Sequence, residues 1–111
     1  MAGNRTIFRI WHGWTRVDKA DAFERLLKAE IFPGIAAKKI EGLRGMRLLR
    51  QPVVGDEVAF MTILQFESWE AIHDFAGADI EVPYLPEPAR AMLSRADSRI
   101  MHYVQCARMD F

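Results

Sequence analysis

Three histidines, His12, His73 and His102, are the side chains of this 111-residue sequence best suited to exchanging a proton near neutral pH. An unperturbed imidazole titrates at about 6.5, close to the pH at which a general acid or base works best. Aromatic side chains accompany them. His12 lies between Trp11 and Trp14, and His73 follows Trp69 by four residues, the interval that puts two side chains on one helix face. These spacings suggest a pocket that gathers His12, Trp69 and His73, walled by Trp14 or Trp11. A strand histidine serves equally well as a packed core residue or as a hydrogen-bonding group at a subunit seam, so a non-catalytic role stands beside the catalytic one. No two histidines have short ligand spacing, so no metal site is expected. Six scattered methionines read as adaptable core filler.

The elements that must position these residues follow from periodicity. Ile7 to Trp14 alternates as a strand, with Phe8, Ile10, His12 and Trp14 on one face and Ile7, Arg9 and Trp11 on the other. Asp18 is a suitable N-cap for a helix beginning at about Lys19, whose stripe of Phe23, Leu26, Leu27 and Ile31 packs inward until Pro33 and Gly34 interrupt or kink it. Leu43 to Gln51 and Asp56 to Phe66 read as a hairpin around a Pro52 to Gly55 loop. Ser68 caps a second helix carrying Trp69, Ile72, His73 and Ala76 on one face and closed by Gly77. A connection from Ala78 to Pro88 follows, in which Pro86 opens a further helix with Ala89, Met92 and Leu93. Ser98 to Met109 alternates again as a fourth strand, which would run antiparallel beside the first and bring His102 near His12.

This order of strand, helix, strand, strand, helix, strand is the ferredoxin-like α+β pattern, in which both helices cover one face of a four-stranded antiparallel sheet. The strands here are apolar on both faces, so the uncovered face calls for a symmetric partner and a homodimer is expected. Residues 1–111 are read as a single domain, since the length leaves no room for a second core of ordinary size. Fifteen basic residues balance fifteen acidic ones, which gives no net field to attract nucleic acid or an anionic membrane. One cysteine, Cys106, admits no intrachain disulfide. With no secretory apolar run and no membrane-spanning stretch, a cytoplasmic protein is expected.

The segments IFRIWHGWT, FMTILQFESWEAIHDFAG and SRADSRIMHYVQ resemble the antibiotic biosynthesis monooxygenase family over about Ile7 to Arg108. The resemblance implies a dimeric α+β barrel with a pocket between sheet and helices in each subunit. It also implies cofactor-independent oxygenation of a planar, largely apolar aromatic or quinone-type molecule, for which the protein supplies a base and a dry slot. Trp69 is similar to a tryptophan that opens the second helix of the oxygenase and haem-degrading branches. By the same resemblance an arginine and a tyrosine belong near the pocket. Tyr84 and Arg90, with Thr62 and Gln65, could play such parts, and the candidate substrate-binding residues are Trp69, Trp14, Trp11, Tyr84 and Arg9. One alternative is a non-catalytic dimeric ligand-binding or accessory protein, and a haem-binding or haem-degrading role is a second. The haem-degrading pattern wants a strand-one asparagine and a later histidine, whereas Asn4 precedes the strand and ADIEVPYLPEP has no histidine. No cofactor is expected.

Overall fold

The computed structural model describes Arg5 to Phe111; residues 1–4, Asn4 among them, lie outside the described residues. Strand β1 (Ile7–Arg16) runs directly into helix α1 (Val17–Leu26), which continues through a π-helical turn (Leu27–Ile31) into α2 (Phe32–Ala37). The hairpin of β2 (Leu43–Arg50) and β3 (Glu57–Phe66) follows, then α3 (Trp69–Ala76), α4 (Glu87–Met92) and two short strands, β4 (Arg95–Ala96) and β5 (Met101–Val104). The sheet is antiparallel with order β2-β3-β1, and β4 and β5 both pair with the far edge of β1. This is the ferredoxin-like α+β arrangement, with the fourth strand in two pieces.

That break has a local cause. Asp97 interrupts the edge strand, its backbone N–H donating to the His12 carbonyl at 2.9 Å while its carboxylate accepts from the His12 N–H at 3.1 Å. The chain then turns Ile100 into the core before pairing resumes at Met101. The expected strand to Met109 therefore ends at Val104, and Gln105 makes one last bond to the Thr6 carbonyl.

Helix α1 starts earlier than Asp18 predicts. The Val17 N–H finds its acceptor in the Asp56 carbonyl of the hairpin loop, at 3.1 Å, so no side-chain cap is required. Asp18 instead adds negative charge in the first turn, where it favours the helix dipole. Further on, Pro33 has no N–H to offer the carbonyl four residues back, and the helix widens ahead of it: the Phe32 N–H bonds to the Leu27 carbonyl, five residues away. The interruption expected at Pro33 is thus a π turn within one continuous helix.

Ser68 caps α3 as expected, its hydroxyl accepting from the Ala71 N–H at 3.1 Å, and Gly77 closes it with φ 84°, a conformation that suits glycine. The packed face differs from the expected Trp69, Ile72, His73 and Ala76 stripe. Ala71 and Ile72 are buried, whereas Trp69 and His73 are exposed.

The inner face of the sheet carries two separate cores. One joins Trp11 and Phe60 to Phe23, Leu26 and Leu27 of the long helix, with Phe23 and Phe60 edge to face at 4.9 Å. The other joins Ile7, Leu64 and Phe66 to Ala71 and Ile72 of α3. On the outer face Phe8, Ile10, Trp14, Met61 and Ile63 are only half-buried, and Met101 and Tyr103 are about half exposed at 51% and 52%. No helix among the described residues is long and apolar enough to cross a membrane.

Gly13 is what lets the Trp11 ring lie along its own strand: a Cβ there would sit 2.3 Å from Trp11 Cη2 and 2.8 Å from Cζ2. The ring is buried and cannot swing aside, so Gly13→Ala is expected to lower the free energy of unfolding in urea by about 1–3 kcal/mol. A variant as stable as the parent would show that the tryptophan has another place to go.

Candidate functional site

Between the two cores the alternation of apolar side chains on the inner face is broken once on each central strand. Along β1 the inward sequence is Ile7, Arg9, Trp11; along β3 it is Leu64, Thr62, Phe60. The register sets Arg9 opposite Leu64 and Trp11 opposite Thr62, so both polar groups fall in the middle of the sheet. Helices α1 to α2 cover one side of this seam and α3 the other. A cleft remains between them, lined by Arg9, Trp11 and Thr62 from the sheet, by Phe23, Leu27, Ile31, Phe32 and Ile35 from the long helix, and by Phe75, Pro83, Tyr84, Leu85 and Pro86 from the other side. The cleft is narrow: the centres of water-sized molecules can occupy about 50 Å³ of it. Its floor is buried, and Tyr84 is the exposed part of its rim.

Arg9 is the principal charge in the cleft and is 4% exposed. Its guanidinium donates through Nη1 to the Ile80 carbonyl and through Nη2 to the Val82 carbonyl at 3.0 Å, and it lies 5.4 Å from the centre of the Phe75 ring. Nη1 also lies 3.1 Å from His102 Nε2. Arginine can only donate, so His102 Nε2 accepts and the ring proton belongs on Nδ1. Burial lowers the Arg9 pKa to about 10, which leaves the group charged at neutral pH. Burial and the adjacent Arg9 charge together press His102 down to about 4, with Glu81 acting weakly the other way, so this imidazole is neutral.

Of the residues expected at the site, the structure brings Arg9, Trp11 and Tyr84 to the cleft wall and sets His102 immediately behind Arg9. Trp69 stands over His102, with ring centroids 5.7 Å apart, on the outer flank rather than in the cleft. Thr62 also lines the cleft, whereas Gln65 points to the other face. Arg90 is exposed on α4, bonded to the Leu85 carbonyl at 2.9 Å.

The expected grouping of His12, Trp69 and His73 does not form. His12 and Trp14 occupy the alternate strand positions and so face away from the helices, beside Met61 and Ala59 of β3. There His12 Nδ1 donates to Asp97 Oδ2 at 2.9 Å, and Trp14 stacks near it under the Arg95 guanidinium at 4.0 Å. His73 is exposed, its Nδ1 donating to the Gly77 carbonyl at the end of α3. The edge-strand register pairs His102 with Arg9, not with His12. The signal for the cleft was present in the sequence as Arg9 and Thr62, polar residues at mid-strand on faces that are mainly apolar.

Compared with solved structures, the chain matches the crystal structure of a Bacillus cereus protein provisionally described as an antibiotic biosynthesis monooxygenase, with a TM-score of 0.66 over 96% of this chain and 99% of that one. The two are 14% identical, a likeness that establishes a shared fold. A protein of the EthD family from Bacillus halodurans gives a TM-score of 0.49 at 15% identity, over 87% of this chain and 96% of its own. No protein-family model and no curated protein sequence matches the chain.

The depressed His102 pKa has a signed consequence. The folded protein holds the imidazole neutral while the unfolded chain protonates it at about 6.5, so the unfolded state binds more protons between pH 6.5 and 4. Stability is therefore lost as pH falls through that window, by about 1–2 kcal/mol once the partial exposure of the ring is allowed for. Urea unfolding at pH 7 and pH 4.5 is expected to show a smaller drop in His102→Gln, which keeps an acceptor for Arg9 but does not titrate. Equal drops in the two proteins would remove His102 as the cause.

Proposed function

We propose that the chain is a cofactor-independent monooxygenase-like enzyme that oxidises a planar, largely apolar aromatic molecule in the cleft between sheet and helices. The observation that carries this is the cleft itself: an apolar slot at the seam of two cores, with Arg9, Thr62 and Tyr84 as its few polar groups, on the fold of the Bacillus cereus protein. In this reaction an activated ring CH2 loses a proton to give an electron-rich anion, which passes an electron to dioxygen. Recombination forms a carbon–oxygen bond, and loss of water from the resulting hydroperoxide leaves a carbonyl. The sum is CH2 + O2 → C=O + H2O, so the substrate supplies every electron and no external reductant is needed. Arg9 stabilises the anionic stages, and His102 is a positioning residue that holds the guanidinium.

The working form in this proposal is a cytoplasmic homodimer in which a second copy covers the outer sheet face. Phe8, Ile10, Trp14, Met61, Ile63, Met101 and Tyr103 give that face an apolar character that a partner would hide from water. Light scattering at low micromolar concentration is expected to give the mass of two chains and, for Ile63→Glu, of one. A stable wild-type monomer would refute the dimer.

Incubation with a panel of hydroxylated anthrones in air is expected to yield quinone absorbance with one O2 taken up per quinone, without added flavin, nicotinamide or metal. Rates no greater than in the protein-free control across the panel would reject the oxygenase.

A further inference from the structure

The cleft holds two buried donor groups that lack the partners such groups usually have. Arg9 carries a full charge in a nearly sealed site, yet no carboxylate among the described residues lies in ion-pairing range; its contacts are two carbonyls and a neutral imidazole. Those contacts use three of its five N–H groups. The acids on the same loop, Asp79 and Glu81, are engaged by Arg99. The second group is Trp11, 5% exposed, whose indole Nε1 is buried without any hydrogen-bond partner. Thr15 Oγ1 is the other such atom among the described residues, but Thr15 is not part of the cleft wall.

Arg9 and Trp11 are two apart on one strand, so they project from the same face about 7 Å apart along it. Both line the same cleft, whose remaining walls are mainly aliphatic and aromatic. Lys38 lies 4.5 Å from the centre of the Tyr84 ring at the rim, which adds positive charge there. A neutral apolar ligand would close off the remaining access to Arg9 and give nothing back, leaving the cation desolvated and the indole donor still unmet. A ligand with an oxyanion on a flat ring system meets both needs while its rings fill the apolar slot.

We propose that the cleft is a receptor for the conjugate base of a planar aromatic acid, its oxyanion held by Arg9 with the Trp11 indole N–H donating to the same ligand. This deepens the oxygenase proposal and rests on its assignment of the pocket. It also removes the need for a base on the cleft wall. An opposite charge within reach lowers the pKa of an acidic group by about 1–3 units, so a phenol or enol binds as the anion that dioxygen oxidises, and its proton leaves to solvent. The loss of the proton is then part of binding, and the neutral His102 serves only to hold Arg9.

The test uses naphthalene-2-carboxylate and its neutral amide, two flat ligands of nearly the same shape, titrated calorimetrically into the full chain at pH 8. The carboxylate is expected to bind at least about tenfold more tightly. Arg9→Met abolishes that preference and Arg9→Lys keeps part of it. Trp11→Phe weakens the carboxylate several-fold. Because Arg9→Met strips bonds from the neighbouring loop, a second measurement needs no variant: 2-naphthol titrated spectrophotometrically with and without wild-type protein is expected to have a lower pKa when bound. Amide and carboxylate binding equally, or a naphthol pKa unchanged or raised on binding, overturns the anion receptor and leaves an apolar slot. Binding of none of the three at millimolar concentration overturns the pocket together with this inference. A preserved anion preference in a protein that consumes no oxygen sinks the oxygenase alone.

Discussion

A guanidinium in the middle of an apolar sheet face is the constraint around which the rest of this molecule is arranged. Taking a charge out of water costs several kcal/mol unless fixed dipoles replace the hydration. For Arg9 those dipoles are the Ile80 and Val82 carbonyls and the His102 lone pair. The requirement reaches well beyond the strand that bears it. It pins the connection after α3 across the sheet, and the Ile100 N–H, bonded to the Glu81 carbonyl at 2.8 Å, pins the same stretch from the edge strand. Pro83, Tyr84 and Leu85 follow directly and become one wall of the cleft. Binding chemistry and loop conformation thus share one side chain.

The split core gives stability and the site separate territories. Phe23 and Phe60 anchor one end of the sheet under the long helix, and Phe66, Ala71 and Ile72 anchor the other under α3. Neither cluster has to pass through the seam. A polar pair, Arg9 and Thr62, therefore sits at mid-sheet without either main packing contact being given up. The outer face has the opposite character, with apolar side chains in numbers and the His12 to Asp97 pair set among them.

Strands and hairpin were legible because alternation is a direct imprint of pleat geometry, and Ser68 and Gly77 marked α3 by their local chemistry. What escaped depends on partners distant in sequence. The start of α1 is set by a carbonyl at Asp56, and the division of the last strand by Asp97 bonding back to His12. The placement of the histidines failed for a related reason. Alternation says that His12 and Arg9 point to opposite faces but not which face the helices choose when both are rich in apolar side chains. Trp69 and His73 do share a side of α3, but Ala71 and Ile72 take the buried positions. Arg9 and Thr62 each interrupting an apolar face was the informative pattern, and only the β1 to β3 register, with Arg9 opposite Leu64 and Trp11 opposite Thr62, makes them diagonal neighbours.

The widened turn from Leu27 to Ile31 spends one residue more than a regular helix would over the same rise. Straightening that turn into regular helix without losing a residue would rotate everything beyond it by about 100°. Phe32 and Ile35 would swing off the cleft while Phe23, upstream, stayed in place. The face that roofs the chamber therefore depends on one surplus residue held in a single helical turn, and Ile31 and Phe32, which also pack against the Phe23 and Phe60 cluster, tie that roof to the core beneath it.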